Sequence, residues 1–186
     1  MKEFYTMTIA GLERSLPLCP ISETLKIGAF VIFGDPELTT ACAEALNARC
    51  PEHDILITAE SKGIPLICEM ARLNGNERYV LARKSAKLYM QNVFSAEVNS
   101  ITTDHKQVLY LDGADAQRMK GKRVVIVDDV ISTGESLRAL ETLVEKAGGN
   151  VVGRMAILAE GDATKRSDIL YLEKLPLFDK DGEPIA

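Results

Sequence analysis

Residues 124–136 read Val-Val-Ile-Val-Asp-Asp-Val-Ile-Ser-Thr-Gly-Glu-Ser, and these thirteen residues carry the strongest structural signal in the chain. The four β-branched residues at 124–127 are typical of a strand that is buried on both faces of a parallel sheet covered by helices. Asp128 and Asp129, here named the acidic pair, follow at the carboxyl end of this predicted strand. Ligands of such sheets bind beyond the carboxyl ends of the strands. The stretch therefore predicts an α/β protein with a ligand site at this edge.

The hydroxyl loop, which follows the acidic pair, offers backbone N–H groups and hydroxyls at the start of a predicted helix. It consists of Ser132, Thr133, Gly134, Glu135 and Ser136. Unpaired N–H groups and the helix dipole both favour an anion at such a place. Carboxylates beside a phosphate suit a sugar phosphate, because they accept hydrogen bonds from ribose hydroxyls. An ordinary strand–loop–helix corner is the alternative, and the complete string of residues argues against it.

These residues closely resemble the phosphoribosyl pyrophosphate (PRPP) motif of the type I phosphoribosyltransferases. In that family a hydrophobic strand ends in two acidic residues, and the next loop grips the 5′-phosphate. The resemblance implies that Asp128 and Asp129 hold the ribose hydroxyls as catalytic residues and that residues 132–136 bind the 5′-phosphate. It also implies the family fold, an α/β domain with a mostly parallel sheet flanked by helices and a small hood. Glu135 stands where many relatives have a second glycine, and we expect its side chain to point to solvent.

The bulk properties fit one soluble domain of 186 residues with a formal net charge of −5 and a pI near 5.2. This acidity gives no electrostatic footprint for nucleic acid. No run approaches the roughly 20 apolar residues that span a bilayer, and charges interrupt the N-terminus where a secretory signal would be apolar. The four cysteines are too irregularly spaced for a zinc site. We expect a cytoplasmic protein that binds neither nucleic acid nor membrane.

Strand-like and helix-like patterns alternate from Ile55 onward, which favours a parallel sheet with helices on its faces. We read residues 1–186 as a single domain with its core at about residues 35–158. The ends, residues 1–34 and 159–186, fit the alternation poorly, and the resemblance assigns them to the hood over the nucleobase. The predicted strands are 55–59, 79–82, 106–111, 123–128 and 151–158. One predicted helix begins at Asp35–Pro36, and two others run over 63–73 and 135–147.

Another candidate phosphate site, here named the Ser-Lys-Gly loop, lies between a buried strand and a helix. It consists of Glu60, Ser61, Lys62 and Gly63. Glycine permits a tight backbone, serine offers a hydroxyl and lysine supplies a point charge. Alone, such a turn is more often a solvated loop. Its place resembles the pyrophosphate-binding loop of the adenine-type phosphoribosyltransferases, and this implies a non-proline cis peptide near Glu60–Ser61.

Residues 83–87, here named the cationic turn, hold Arg83, Lys84 and Lys87. Three cations in five residues are more commonly a solvated surface. The family, however, carries Arg-Lys-x-x-Lys here, with cations that reach PRPP in part from the partner subunit of a dimer. Cations and Mg²⁺ are the expected device where pyrophosphate leaves with its negative charge. The resemblance thus implies a homodimer and Mg²⁺ bound through PRPP, with no protein ligand of the metal assigned.

The polar stretch from Leu88 to Lys106 matches the family's closing loop, which keeps water from the reactive ribose. Adenine phosphoribosyltransferases place a catalytic glutamate there, and this sequence does not reproduce that position. Alignment on the following strand puts Thr103 nearest to it, with Asp104 next and Glu97 further away. We take Asp104 as the candidate catalytic acid.

The resemblance implies that hood residues enclose the base, and Phe30 and Val31 are the candidates. A normal hydrophobic strand explains this apolar run equally well. The predicted function is transfer of the phosphoribosyl group from PRPP to a purine, most simply adenine, in purine salvage. One alternative is xanthine or another base as the acceptor. The other is a non-catalytic PRPP-sensing regulatory domain of purine metabolism, because residues 59–65 also resemble the corresponding loop of such regulators. Those regulators carry an added DNA-binding domain, for which we expect no room before Asp35.

Overall fold

A computed structural model gives the structure of the protein and describes residues 2–75, 78–98 and 107–185. These residues form a five-stranded parallel sheet with helices on both faces, a five-stranded antiparallel sheet and a two-stranded hairpin. The strands are β1 (Phe4–Ile9), β2 (Leu12–Pro20), β3 (Leu25–Gly28), β4 (Ile55–Ala59), β5 (Val80–Ala82), β6 (Phe94–Val98), β7 (Gln107–Leu111), β8 (Arg123–Ile131), β9 (Asn150–Glu160), β10 (Leu170–Leu175), β11 (Leu177–Asp179) and β12 (Pro184–Ile185). The helices are α1 (Pro36–Asn47), α2 (Gly63–Leu73), α3 (Gly113–Met119) and α4 (Glu135–Lys146).

The parallel sheet has the strand order β10-β9-β8-β4-β5, so β8 lies at its centre between β4 and β9. The β-branched run of β8 alternates between two hydrophobic clusters. Val124 and Ile126 pack with residues of α3 and α4, whereas Val125 and Val127 pack with residues of α1 and α2. All four are fully buried, as expected for a central strand covered on both faces. The predicted α/β fold class is confirmed.

The helix α1 begins as its sequence predicts. The Asp35 carboxylate accepts a hydrogen bond from the backbone N–H of Leu38 at 3.0 Å, and Pro36 occupies the first helical position. The helix α2 also has its predicted bounds, and Gly75 with φ of +68° follows its end. Among the described helices, none is long and apolar enough to cross a membrane.

The hood is the antiparallel sheet, with the order β1-β2-β3-β11-β12. Leu177 of β11 pairs with Ile27 of β3, so the two ends of the chain meet in one sheet. The C-terminal segment divides differently from the expectation, which placed all of residues 159–186 in the hood. Strand β10 instead joins the parallel sheet beside β9, because Leu175 is buried in the cluster beneath α1 and α2.

The hairpin β6–β7 differs from the expectation too. We expected a loop over 88–106 and a strand with one solvated face over 106–111. The strand is present as β7, but β6 lies within the expected loop, and its Phe94 pairs antiparallel with Leu111 of β7. Ala96, Leu109 and Leu111 are buried against the α4 side of the core. The apolar side chains of β6 alternate with Ser95 and Glu97, a period of two that the polar flanks of the segment concealed. Helix α3 was also not predicted; the Asp112 carboxylate caps it by accepting from the N–H of Ala114.

Candidate functional site

The acidic pair lies inside the paired part of β8, because this strand continues to Ile131 rather than ending at residue 128. Asp128 stands opposite Ala156, and Ile131 stands opposite Ala159 of β9. The Asp128 carboxylate accepts a hydrogen bond from the backbone N–H of Asp129 at 2.9 Å. The ladder with β9 therefore fixes the backbone that carries the two carboxylates, whereas the pairing with β4 ends at Ile126.

Lys62 neutralises one member of the acidic pair. Its ammonium nitrogen lies 2.7 Å from Oδ2 of Asp129, whose side chain is almost completely buried. The same nitrogen donates a hydrogen bond to the backbone carbonyl of Phe30 at 3.2 Å. Asp128 has no such partner within hydrogen-bonding distance among the described cations, and its pKa lies well above the ordinary value because of burial and the neighbouring Asp129 charge. The positive charge of Lys62 opposes this shift.

The Ser-Lys-Gly loop contains the non-proline cis peptide that the resemblance implied, between Glu60 and Ser61. The loop passes directly into α2 at Gly63. A Cβ atom at this position would stand 2.3 Å from Oγ1 of the buried Thr58 and 3.5 Å from Oδ1 of Asp128. Only glycine therefore allows the start of α2 to approach β4 and the acidic pair this closely.

The cationic turn is attached to the Ser-Lys-Gly loop through Glu60. The Glu60 carboxylate accepts a hydrogen bond from the backbone N–H of Lys84 at 2.8 Å and pairs with Nη2 of Arg83 at 3.1 Å. These contacts lower the pKa of Glu60, chiefly through the Lys84 N–H, and the charges of Arg83 and Lys87 act in the same direction. Arg83 also exchanges two backbone hydrogen bonds with Tyr110 of β7, each of 2.8 Å. One carboxylate thus orients the turn.

Two adjoining cavities lie at this edge of the sheet, and Asp128 and Ser136 line both of them. The larger, of about 200 Å³, brings together residues of all four predicted groups. The smaller, of about 50 Å³, is formed by the hydroxyl loop and the start of α4. The walls of the larger cavity include Glu60, Ser61, Lys62, Lys84, Asp128, Asp129 and Ser136. Lys87 is not among its walls; its ammonium donates to the Ser85 hydroxyl at 2.6 Å.

The hydroxyl loop presents its backbone as expected for an anion site. Gly134, with φ of +78°, immediately precedes α4, and in the part of the chain that the structure describes no side chain caps the first amides of this helix. Ser132, Thr133 and Ser136 are exposed. The arrangement leaves N–H groups and hydroxyls for an anion in the smaller cavity.

The predicted base-binding residues differ in exposure. The Phe30 ring is 3% exposed and belongs to the core, whereas Val31 is 57% exposed. Ile32 is buried and Phe33 is half-exposed, so the four residues alternate although they form no strand. Phe30 faces the site through its carbonyl, and Val31 and Phe33 are the side chains open to a ligand.

The candidate acid Asp104 and the neighbouring Thr103 lie outside the described residues. Sequence reasoning missed another acid, Glu160, at the end of β9. Burial raises the pKa of Glu160, and the charge of Lys62 lowers it, so this carboxyl group senses the same lysine as the acidic pair. A signal was present, because Glu160 ends a buried run at 155–159 just as Asp128 ends the run at 124–127.

An open cleft of about 800 Å³ exceeds both cavities and lies between the hairpin, α3 and the end of α4. None of the residues predicted for the site lines it. The chemistry-bearing groups converge on the two smaller cavities, which we therefore take as the candidate site.

Comparisons with known proteins identify the family and the fold. A family model described as the phosphoribosyl transferase domain matches residues 36–178. The hypoxanthine/guanine phosphoribosyltransferase of Methanotorris igneus is 31% identical over 166 residues, which cover 83% of this chain and 85% of that protein. The adenine phosphoribosyltransferase of Bifidobacterium longum is 32% identical over 184 residues, covering 95% and 84%. The crystal structure of the adenine phosphoribosyltransferase of Thermoanaerobacter pseudethanolicus has a TM-score of 0.70 at 23% identity, covering 86% of this chain and 95% of that one, and shares the fold.

Proposed function

Because the chain belongs to the phosphoribosyltransferase family, we propose that it transfers the phosphoribosyl group of PRPP to a purine base in purine salvage. One observation carries the proposal: the acidic pair, the Ser-Lys-Gly loop and Lys84 line one cavity that adjoins the hydroxyl loop. Acceptors for sugar hydroxyls therefore stand between two sites for anions. PRPP has the same order of groups, with ribose between its 5′-phosphate and its pyrophosphate.

The acidic pair would accept hydrogen bonds from the ribose hydroxyls of PRPP. Asp129 already binds the Lys62 ammonium at 2.7 Å, so a hydroxyl would share or replace this contact. The raised pKa of Asp128 fits a carboxyl group that gains stabilisation when a hydroxyl donates to it. On the other side of the ribose, the amides at residues 133–136 would hold the 5′-phosphate with help from the helix dipole.

The reaction breaks the bond from C1′ of the ribose to pyrophosphate and forms one from C1′ to a ring nitrogen of the base. Negative charge grows on the pyrophosphate, which the Ser-Lys-Gly loop and Lys84 would receive. Glu60 orients this part of the site, because it holds the Lys84 backbone. Asp104, within the predicted closing loop, is the acidic residue that we propose for the proton transfer from the base.

The acidic pair and the ligand oxygens fit Mg²⁺. The described residues hold no cluster of three or more histidine, cysteine or acidic side chains, so they form no all-protein cage for a metal. Mg²⁺ is commonly bound through one or two carboxylates together with substrate phosphates, which matches a pair of aspartates beside a pyrophosphate site. Bound with PRPP, Mg²⁺ would neutralise charge on the leaving group.

Adenine is the proposed acceptor, with the 6-oxopurines hypoxanthine and guanine as the alternative. The Bifidobacterium longum relative, named for adenine, matches 95% of this chain and so extends into the hood. The Methanotorris igneus relative, named for hypoxanthine and guanine, matches 83%. Val31 and Phe33 would contact the base, and the Phe30 carbonyl would lie at the inner end of the base pocket.

A cytoplasmic homodimer is the proposed form of the enzyme. Leu88 is fully exposed beside the cationic turn, and Tyr89 and Val93 are exposed as well. A second copy of the chain would cover these apolar side chains and bring its own Arg83, Lys84 and Lys87 close to the site. Sedimentation at micromolar concentration should give twice the chain mass, and Leu88→Glu should shift the protein to the monomer.

The test is PRPP-dependent conversion of adenine, hypoxanthine, guanine and xanthine, each followed by nucleotide and pyrophosphate release. We expect adenine to have the highest kcat/KM. Faster turnover of hypoxanthine or guanine would replace adenine as the acceptor, and tight PRPP binding without turnover of any base would favour the PRPP-sensing alternative. The control is Asp128→Asn with Asp129→Asn, which should abolish turnover in a folded protein.

A further inference from the structure

The Arg166 side chain lies against the hydroxyl loop, although it is far away in the sequence. It follows the short helical turn at residues 161–165 that connects β9 to β10. A Cβ atom at Gly134 would stand 3.0 Å from Nη1 of Arg166, so the guanidinium packs on the open face of this glycine. Gly134 is the residue that precedes the first turn of α4. The cation therefore touches the loop at the point where its backbone turns into the helix.

Asp168 fixes the orientation of this guanidinium. Its carboxylate accepts hydrogen bonds from Nε at 2.9 Å and from Nη2 at 2.7 Å, the bidentate geometry that arginine forms well. Arg154 of β9 lies 3.7 Å from Asp168 and also pairs with Glu141 of α4. The carboxylate thus occupies one edge of the guanidinium and leaves Nη1 directed at the loop. The dipole of the ion pair has its positive end toward Gly134.

A cation beside the loop suits a phosphate, because residues 132–136 contain no lysine or arginine. Within residues 132–136 the single charged side chain is Glu135, an acid, and the next cation along α4 is the exposed Arg138. A 5′-phosphate adds about two negative charges at neutral pH. The helix dipole offers only about half a positive charge at its N-terminus. The network of Glu141, Arg154, Arg166 and Asp168 contains two acids and two arginines, so its net charge is zero. The charge is nevertheless distributed unevenly, because Nη1 of Arg166 faces the loop.

We propose that Arg166 is a positioning residue of the 5′-phosphate site, which compensates the charge of the phosphate from its place beside Gly134. The inference rests on the proposed function, because that function places a 5′-phosphate in the hydroxyl loop. Arg166 would thus contribute selectivity for ligands with a terminal sugar phosphate, although it lies 30 positions after Ser136, the last residue of the hydroxyl loop. Arg166 acts on phosphate affinity and not on the pyrophosphate side of the cavity.

The test compares binding of ribose 5-phosphate with binding of pyrophosphate, by calorimetry on the full chain. Arg166→Gln should weaken ribose 5-phosphate about fivefold to tenfold, the worth of one charge-assisted contact, while pyrophosphate affinity stays within about twofold. Arg166→Lys, which keeps the charge and loses the bidentate pair, should fall between the two. Lys165→Gln is the matched control, because its ammonium pairs with Asp162, is 79% exposed and lies one residue away.

Each outcome separates the inference from the proposed function. If the native chain binds neither PRPP nor ribose 5-phosphate, the proposed function fails first. If the native chain binds both and Arg166→Gln binds ribose 5-phosphate equally well, the role of Arg166 is refuted. Equal weakening of ribose 5-phosphate and pyrophosphate, together with a lower Tm, would show a structural role and also refute it. Loss confined to ribose 5-phosphate, smaller at high salt, supports the proposal.

Discussion

The Lys62 ammonium lies 2.7 Å from the Asp129 carboxylate, which joins the loop that precedes α2 to the central strand β8. The lysine is 42% exposed at its side chain, whereas Asp129 is 6% exposed. The carboxylate is therefore the member of the pair that cannot easily recover solvation by water if its partner is lost. Lys62 thus stabilises this carboxylate by its charge, and a sugar hydroxyl would share this role in the proposed complex.

Lys62→Met should lower the free energy of unfolding by about 1–3 kcal/mol at pH 7, because it leaves a buried carboxylate without its partner. Urea denaturation measures this loss. In the double variant Lys62→Met/Asp129→Asn the buried charge is gone, so most of the lost stability should return. Additive effects of the two substitutions would contradict the pairing of these side chains.

Asp128→Asn should stabilise the free protein at pH 7 while it weakens PRPP binding. The pKa of Asp128 is raised in the folded protein, so the protonated carboxyl group contributes favourably to the free energy of unfolding. This contribution is complete below the unfolded pKa of about 3.9, and it is lost as the pH rises through the folded pKa. The gain in Tm from Asn should therefore be largest at pH 7 and vanish near pH 4. Asp54→Asn is the control of opposite sign, because hydrogen bonds from the Arg123 side chain and backbone lower the pKa of Asp54. A gain for Asp128→Asn that did not change with pH would contradict this account.

Gly63→Ala should destabilise the protein by about 1–3 kcal/mol and raise the KM for PRPP, because the new methyl group overlaps with Oγ1 of Thr58. Thermal unfolding and steady-state kinetics measure the two effects. Thr58→Ala removes that oxygen, so the double variant Gly63→Ala/Thr58→Ala should be more stable than the sum of the single changes predicts. Strict additivity would mean that another contact excludes a side chain at position 63.

Glu60→Gln should weaken pyrophosphate binding about tenfold, because the cationic turn loses the carboxylate that holds the Lys84 backbone and pairs with Arg83. The lowered pKa of Glu60 means that its contribution to stability is present above the unfolded pKa of about 4.3 and is lost as the pH falls. Calorimetry at pH 7 measures the affinity. Glu52→Gln, at an exposed glutamate that pairs with Arg123, should leave it unchanged.

The local parts of the fold and the site could be predicted because their signals are short in sequence. Asp35 and Pro36 mark the start of α1 within two residues, and the apolar stripe of α2 has a glycine at its start and another after its end. The cis peptide at Glu60–Ser61 came from family resemblance and not from the physics of the residues.

The remainder depends on partners that are distant in sequence. The Phe30 ring could not be placed from an apolar run of four residues, because its burial depends on packing with residues of α1. Arg166 lies against Gly134 from the segment after β9, a contact that residue spacing does not reveal.

The pairing of Leu177 with Ile27 has a consequence for how the protein is made. These strands are about 150 residues apart in the chain, so a ribosome must synthesise about 150 further residues before β3 can meet β11. The residues proposed for PRPP, with β9 and the segment that carries Arg166, all precede β11 in the chain. On a nascent chain, the proposed sugar-phosphate site can thus be completed before β11 joins the antiparallel sheet.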